Sequence, residues 1–242
     1  MNQTPVSLTV ETPVPCRGCH ARHKGLCGAL NAAELTALSR YTRVVKHLAG
    51  SEIAGEETEI YNYANVMSGV IKLSRVLEDG RQQVIGLKFS PDFMGRIYGT
   101  DNIVAVRAAS DVELCQIPKK VLEVLVETNR ALERRLMIQT LRELDEAREW
   151  MVTLGRKTAS ERLASCLYLI ALHIDPSIDI GEGTAIEYDL PLTRADIADF
   201  LGLSLETVSR QMTLLRKSGV IQITRKRHIE IGDVDKLRKL CG

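Results

Sequence analysis

The sequence lacks a long hydrophobic run. No stretch of the 242 residues approaches the roughly 18–20 consecutive apolar residues that a membrane helix requires. The first fifteen residues, MNQTPVSLTVETPVP, contain neither a basic head nor a leucine-rich segment, so no secretory signal is predicted. We therefore expect a cytoplasmic protein without membrane contact, in which the six cysteines are thiols or metal ligands rather than disulfides.

The residue arrangements typical of an enzyme are also missing. The five histidines have no nearby serine or carboxylate pattern that would indicate a catalytic triad. Two glycine-containing stretches, which begin at Gly99 and Gly181, lack the lysine of a phosphate-binding loop. The sequence therefore predicts a protein that is not an enzyme.

Changes in hydrophobic period divide the chain into four segments. Residues 1–15 are polar, contain three prolines and are predicted to be disordered. Residues 16–118 begin with a cysteine-rich loop and continue as short alternating runs separated by glycines, which is typical of an antiparallel β-roll. A long helix is expected within 119–155, and a winged helix–turn–helix within 156–242. The predicted fold class is α+β, and the predicted turn glycines are 50, 55, 69, 80, 86, 95 and 99.

The long helix is predicted to be the dimerisation element. No proline or glycine occurs between Ala131 and Leu154, and four apolar residues follow the a/d spacing of a coiled coil, interrupted by Arg148. Such a stripe packs either on its own domain or on a second copy of the helix, and we expect the second copy. The four residues are Met137, Leu141, Leu144 and Met151.

The last 51 residues form the basic end of the chain, with ten Lys and Arg against six Asp and Glu. Within them, Thr193 and Asp196 form a capping-box pattern, Gly202 is placed at a turn, and Ser204 is placed to cap a second helix. This pattern predicts helix–turn–helix and hence contact with double-stranded DNA.

One face of the second helix carries polar residues suited to reading bases. Glutamate accepts from cytosine N4, and arginine donates twice to guanine. A two-stranded wing follows, whose tip is predicted to contact phosphates. The predicted base-reading residues are Glu206, Ser209, Arg210 and Thr213, and the wing residues are Arg225, Lys226 and Arg227.

The segment LTRADIADFLGLSLETVSRQMTLLRKSGVI resembles the recognition segment of the CRP/FNR superfamily. Its E-x-x-S-R set is similar to that of the FNR branch. The resemblance implies an operator with TTGAT-like half-sites in an inverted repeat, contact with RNA polymerase, and a homodimer. The β-roll, the long helix and the C-terminal domain fit the same family, so the resemblance covers nearly the whole chain.

Cys16, Cys19 and Cys27 form a C-x2-C-x7-C motif whose spacing leaves three sites open. An iron–sulfur cluster, a zinc ion or covalent haem are each compatible with it. Haem attachment of this type takes place outside the cytoplasm, which disagrees with the DNA-binding pattern. A fourth ligand for a cluster or zinc would come from Cys115, Cys166, Cys241, His20 or His23.

The resemblance favours the cluster. FNR-type oxygen sensors combine an N-terminal cysteine trio with one cysteine late in the β-roll, and Cys115 occupies that place. The x7 gap resembles the branch that includes FnrN, FnrL, AadR and cysteine-bearing FixK. What this implies is a [4Fe–4S] cluster on Cys16, Cys19, Cys27 and Cys115 that supports the dimer and that oxygen destroys. The alternative is a regulator of the same family with a structural zinc site and another ligand.

Binding of cAMP is not expected. The nucleotide-binding relatives carry a glycine–glutamate pair for the ribose and an arginine for the phosphate. The matching positions here are Gly95–Arg96 and Asn102–Ile103, so the ribose acid is replaced and the phosphate lacks its arginine.

Overall fold

A computed structural model describes residues 14–178, 181 and 183–242. Of the segment predicted to be disordered, residues 1–13 lie outside the described residues, and Val14 and Pro15 begin a helix. None of the helices in the described part of the chain is both long enough and apolar enough to cross a membrane.

The cysteine-rich segment is helical, where the sequence predicted a loop. The segment lies close to the chain at Pro91, because a Cβ on Gly25 would be only 2.8 Å from the Pro91 carbonyl oxygen. Asn31 caps the last helix, with its side chain accepting from the Glu34 N–H at 2.9 Å. The elements are α1 (Val14–Arg17), α2 (His20–His23), a 3₁₀ turn (Leu26–Ala29) and α3 (Ala32–Ser39).

Two four-stranded antiparallel sheets follow and confirm the predicted β-roll. One has the strand order β1-β8-β3-β6 and the other β2-β7-β4-β5. Apolar side chains from the two sheets pack against each other between them. The strands are β1 (Arg43–His47), β2 (Glu52–Ala54), β3 (Asn62–Ser68), β4 (Ile71–Val76), β5 (Gln82–Lys88), β6 (Phe93–Met94), β7 (Ala105–Ala108) and β8 (Val112–Pro118).

One predicted turn is wrong, because Gly86 lies inside β5. The pairing register shifts there: Leu73 faces Gly86, whereas Ser74 faces Val84. The shift leaves Ile85 as the extra residue of a bulge, and its side chain is exposed. Gly69 and Gly80 do occupy turns, and both have a positive φ.

The single helix predicted within 119–155 is two helices, α4 (Lys119–Thr128) and α5 (Arg130–Arg156). Asn129 separates them with an extended backbone, φ −120° and ψ 97°. Its side-chain oxygen accepts from the Leu132 N–H at 2.9 Å, and its amide donates to Glu34 at 2.8 Å. The break is therefore stabilised by a helix cap and by a contact with α3.

The C-terminal domain contains the predicted helix–turn–helix. The predicted two-stranded wing is present as β10 and β11, and residues 186–189 add a third strand, β9, on the other side of β11. The elements are α6 (Ala159–His173), β9 (Ile186–Asp189), α7 (Arg194–Leu201), α8 (Leu205–Lys217), β10 (Gln222–Thr224), β11 (His228–Ile231) and α9 (Val234–Lys239).

Helix α7 packs on the β-roll. The Lys72 ammonium of β4 forms an ion pair with Asp196 of α7. The Gln83 side chain of β5 donates to the Phe200 carbonyl at 3.2 Å. Trp150, at the end of α5, contacts Phe200 with ring centroids 4.4 Å apart. The first helix of the helix–turn–helix is thus fixed to both the sheet and the long helix.

Candidate metal centre and nucleic-acid interface

All four cysteines predicted as cluster ligands line one cavity of about 110 Å³. Three lie on the N-terminal segment: Cys16 in α1, Cys19 at the start of α2 and Cys27 in the 3₁₀ turn. Cys115 comes from β8, whose neighbour β3 forms the adjacent cavity wall with Asn65 and Met67. The fold therefore brings the distant Cys115 to the trio.

The other candidate ligands lie elsewhere. Cys166 is fully buried in the core of the C-terminal domain, as a small apolar residue would be. The Cys241 thiol donates to the Leu237 carbonyl at 3.4 Å. Neither His20 nor His23 lines the cysteine cavity. Of the five candidates for a fourth ligand, the structure brings Cys115 to this cavity.

The cavity favours protonated thiols until a metal is present. Burial, followed by the neighbouring sulfurs, raises the pKa of Cys27 to about 12. Burial likewise raises the pKa of Cys115 to about 11 and that of Cys16 above its ordinary value. Because the metal-binding form is the thiolate, metal binding here has to release protons.

The donor set of the cavity fits a metal centre, because four cysteine thiolates are ligands that both tetrahedral zinc and an iron–sulfur cluster accept. Their positions are not those of a single-ion site: among the described residues, no three His, Cys, Asp or Glu side chains form a group that could hold a metal ion. The chemistry of the donors therefore leaves zinc and a cluster open.

The cysteine segment packs directly on the first turns of α5. Leu26, which adjoins Cys27, shares a buried apolar cluster with Leu132. The Arg135 guanidinium of α5 donates to the Lys24 carbonyl. Packed side chains and a hydrogen bond therefore connect the cysteine segment to α5.

The predicted dimerisation stripe is exposed on α5 in the single chain. Its four side chains are between 45% and 73% exposed, so they are not packed on the chain's own domains. Arg148, which interrupts the stripe, pairs with Asp145 on the same helix at 3.1 Å. The stripe consists of Met137, Leu141, Leu144 and Met151.

Caps and a left-handed turn fix the geometry of the helix–turn–helix. Asp196 N–H donates to the Thr193 hydroxyl at 3.0 Å, and the Asp196 carboxylate accepts from the Thr193 N–H at 2.9 Å. Gly202 ends α7 with a φ of 60°. Ser204 caps α8 by accepting from the Thr207 N–H at 3.2 Å. The capping box and turn expected from the sequence are confirmed.

Helix α8 presents the expected polar face. Glu206, Ser209 and Arg210 are exposed, whereas Val208 is buried on the opposite side. Among the described residues, none hydrogen-bonds to the Arg210 guanidinium. Thr213 is half-buried, and its hydroxyl donates to the Ser209 carbonyl at 2.9 Å. The first three side chains are thus available to base edges, and Thr213 less so.

The three basic residues predicted at the wing tip lie in different environments. Arg225 and Lys226 are exposed and form the tight turn with φ values of 45° and 68°. Arg227 instead donates to the Leu190 carbonyl at 2.8 Å and to the Pro191 carbonyl at 3.0 Å. These bonds attach the wing to the segment before α7, so Arg227 has fewer donors for phosphate than the sequence indicated.

Two family models together match most of the chain. Residues 44–129 match the cyclic nucleotide-binding domain, and residues 161–240 match the Crp-like helix-turn-helix domain. A probable transcriptional activator of Rhizobium leguminosarum bv. viciae is 49% identical and covers 96% of this chain and 95% of its own. The transcriptional activator protein FnrL of Cereibacter sphaeroides is 37% identical and covers 94% and 92%. The chain belongs to the CRP/FNR family of transcription regulators.

A solved structure agrees with this assignment. FixK2 from Bradyrhizobium japonicum superimposes with a TM-score of 0.73 at 29% identity, and the match covers 83% of this chain and 98% of FixK2. The predicted β-roll and C-terminal helix–turn–helix are the architecture of this CRP/FNR regulator. Its relatives are DNA-binding regulators, which agrees with the expectation that the chain is not an enzyme.

A second cavity of this CRP/FNR regulator, of about 1060 Å³, is lined by residues of the β-roll and by Glu143 and Ala147 of α5. Arg96 and Asn102 line it, as does Lys88, which pairs with Glu143 of α5 at 2.7 Å. Arg96, which stands where the nucleotide-binding relatives carry the ribose-binding acid, therefore lies in the wall of this cavity. The expectation that cAMP does not bind stays a prediction.

Sequence reasoning missed two polar residues beside the functional regions. Arg194 begins α7 close to Arg227, and its Nη1 is buried without a hydrogen-bond partner among the described residues. Burial, followed by the charge of Arg227, lowers the pKa of Arg194. The second missed residue, Asn65, lines the cysteine cavity.

Proposed function

We propose that this regulator carries a [4Fe–4S] cluster on Cys16, Cys19, Cys27 and Cys115 and responds to oxygen. The observation that carries the proposal is the shared cavity: four of the six cysteines line it, and no histidine does. Four cysteine thiolates are the usual ligand set of such a cluster. The resemblance to the FNR branch supports the same ligands.

Residues of the chain would bind the cluster, bury it and couple its presence to α5. Cys27 and Cys115 lie deepest, so they would give up their protons on loading and remain shielded from water. When bound, the cluster supplies iron and sulfide that oxygen oxidises. The Leu26–Leu132 contact would then pass the difference between loaded and empty cavities to α5. Where a helix has two alternative packing arrangements, a free-energy bias of only a few kcal/mol changes their relative populations substantially.

The responding element would be the exposed stripe of α5. Paired with a second copy, the stripe buries apolar side chains that are exposed in the single chain. The loaded form would thus be a homodimer. Its twofold axis places two copies of α8 on an inverted repeat, with half-site centres about one helical turn apart.

Reading of TTGAT-like half-sites would fall to the exposed face of α8. Arg210 would donate to guanine, Glu206 would accept from cytosine, and Ser209 and Thr213 would flank them. At the wing, Arg225 and Lys226 would contact phosphates, with a smaller share from Arg227. The exposed β4–β5 turn, residues 78–81, is the surface proposed for RNA polymerase.

Metal analysis of anaerobically purified protein tests the ligand assignment. We expect four iron and four sulfide per chain in the wild type, and loss of both in Cys115→Ser. Cys166→Ser and Cys241→Ser are the matched controls and should keep the visible absorption. Retention of iron and sulfide in Cys115→Ser with loss in Cys166→Ser would refute the assignment. A colourless wild type with zinc and no sulfide would favour the structural zinc alternative.

A further inference from the structure

Asn65 is a buried amide in the wall of the cysteine cavity. It lies in β3, directly opposite Cys115 of β8 in the pairing register. Its residue surface is 1% exposed. Its side-chain nitrogen donates to the Cys27 sulfur at 3.6 Å, a normal distance for a hydrogen bond to sulfur. Asn65 therefore touches one predicted ligand and is paired in the sheet with another.

The rest of the Asn65 amide is poorly satisfied. Its Oδ1 atom is buried and has no hydrogen-bond partner among the described residues. The neighbouring residues of β3, Tyr63, Ala64 and Val66, are buried and mostly apolar. Because a half-satisfied buried amide costs folding free energy, an apolar residue of similar volume would make the empty protein more stable. The amide is therefore better explained by what the cavity holds than by the packing of the β-roll.

We propose that Asn65 is a positioning residue whose amide N–H stabilises the Cys27 thiolate and slows loss of the cluster in oxygen. The inference rests on the proposed function. Hydrogen bonds to ligand sulfurs help to set the properties of iron–sulfur sites, and outer-shell partners orient the ligands. A hydrogen-bond donor to a ligand sulfur stabilises the more reduced, electron-rich state of the cluster. Its removal therefore favours transfer of electrons from the cluster to dioxygen.

Thr42 provides a useful contrast in the same cavity. It lines the cavity with Cys115, and its side chain acts to lower the pKa of that thiol. Its hydroxyl donates to the Ser39 carbonyl, 3.2 Å away, so its donor has a partner within the protein. The Asn65 N–H donor, in contrast, is directed at sulfur. Of the two residues, Asn65 is the one whose replacement should mainly change the stability of the bound cluster.

The test compares Asn65→Leu with wild type after anaerobic purification. Leucine has the same branching at Cγ and no donor. We expect iron and sulfide to be retained, with bleaching in air-saturated buffer on the order of tenfold faster, the lower range for losing an outer-shell partner. The Fe–S(Cys) stretching bands in resonance Raman spectra should shift. Ser74→Ala, another buried polar residue of the β-roll, is the control and should change neither readout.

Bleaching at the wild-type rate with unchanged Raman bands would overturn the inference while leaving the proposed function intact. If Asn65→Leu does not fold, Asn65→Asp keeps the shape and replaces the donor by a carboxylate oxygen. Loss of iron from Asn65→Asp at an unchanged urea midpoint of the empty protein supports the inference. Full loading with wild-type bleaching contradicts it. A wild type without iron and sulfide would instead refute the proposed function, and the inference with it.

Discussion

Replacing Lys72 by Met should loosen the attachment of the DNA-binding domain to the β-roll. The Lys72 and Asp196 side chains are only 15% and 13% exposed. Burial acts to raise the pKa of Asp196, but hydrogen bonds from Lys72 and Thr193 outweigh it and hold that pKa below its ordinary value. The carboxylate is therefore ionised at neutral pH. Methionine keeps the apolar stem of Lys72 and removes the charge.

The size of the effect follows from burial and from the remaining bonds. Removing one partner of a fully buried pair costs about 3–5 kcal/mol, whereas an exposed pair contributes about 0.2–1 kcal/mol. Asp196 would keep its bonds from the Thr193 N–H, at 2.9 Å, and the Thr193 hydroxyl, at 2.7 Å. We therefore expect a loss of about 2 kcal/mol, roughly a 30-fold change in the equilibrium between attached and detached α7.

The fluorescence of Trp150 measures this equilibrium. It is the only tryptophan in the chain, and its ring lies 4.4 Å from that of Phe200 in α7. In urea titrations of the metal-free protein, Lys72→Met should move the Trp150 transition to lower urea. Lys46→Met is the matched control, because its ion pair with Glu113 is at the surface with Lys46 79% exposed. Equal shifts in the two variants would refute the argument from burial.

Three further predictions concern DNA reading, the dimer and the C-terminal sheet. Arg210→Ala should reduce the binding free energy by about 1–3 kcal/mol per half-site and lower the specificity at one base pair. Arg225→Ala should instead weaken binding to the palindrome, to a mutated palindrome and to random DNA by the same factor. Equal losses of affinity on all three DNAs with Arg210→Ala would show that Arg210 contacts phosphate. Leu141→Asp should leave the anaerobic, iron-loaded protein monomeric in sedimentation, and a persisting dimer would exclude the α5 stripe as the interface. Hydrogen bonding to Asp189, at 2.9 Å, raises the pKa of His228, so its contribution to stability is complete below about pH 6.5 and is lost as pH rises through the raised value. His228→Gln should therefore flatten the fall of the urea midpoint above that pH, and an unchanged profile would contradict this.

Local patterns predicted the helix–turn–helix and the β-roll well. The capping box at Thr193, the turn at Gly202 and the cap at Ser204 all depend on bonds between residues a few positions apart. Such bonds can be read from sequence spacing. The exposed face of α8 followed from helical period in the same way.

The errors arose where distant residues decide the structure. The break at Asn129 depends partly on the hydrogen bond from its side-chain amide to Glu34. The Arg227 guanidinium donates hydrogen bonds to the Leu190 and Pro191 carbonyls. The bulge in β5 depends on pairing with β4. For the cavity, spacing proposed the trio, but only resemblance indicated Cys115. Asn65 carries no local signal, since its place beside the cavity follows from its register opposite Cys115.

The link between the cysteine cavity and the dimer is tested most directly by sedimentation of the anaerobic protein before and after exposure to air. Protein mass and visible absorption are recorded on the same sample. We expect a coloured dimer that becomes a colourless monomer as the absorption bleaches, with matching loss of affinity for a TTGAT palindrome. An unchanged dimer mass after complete bleaching would contradict it.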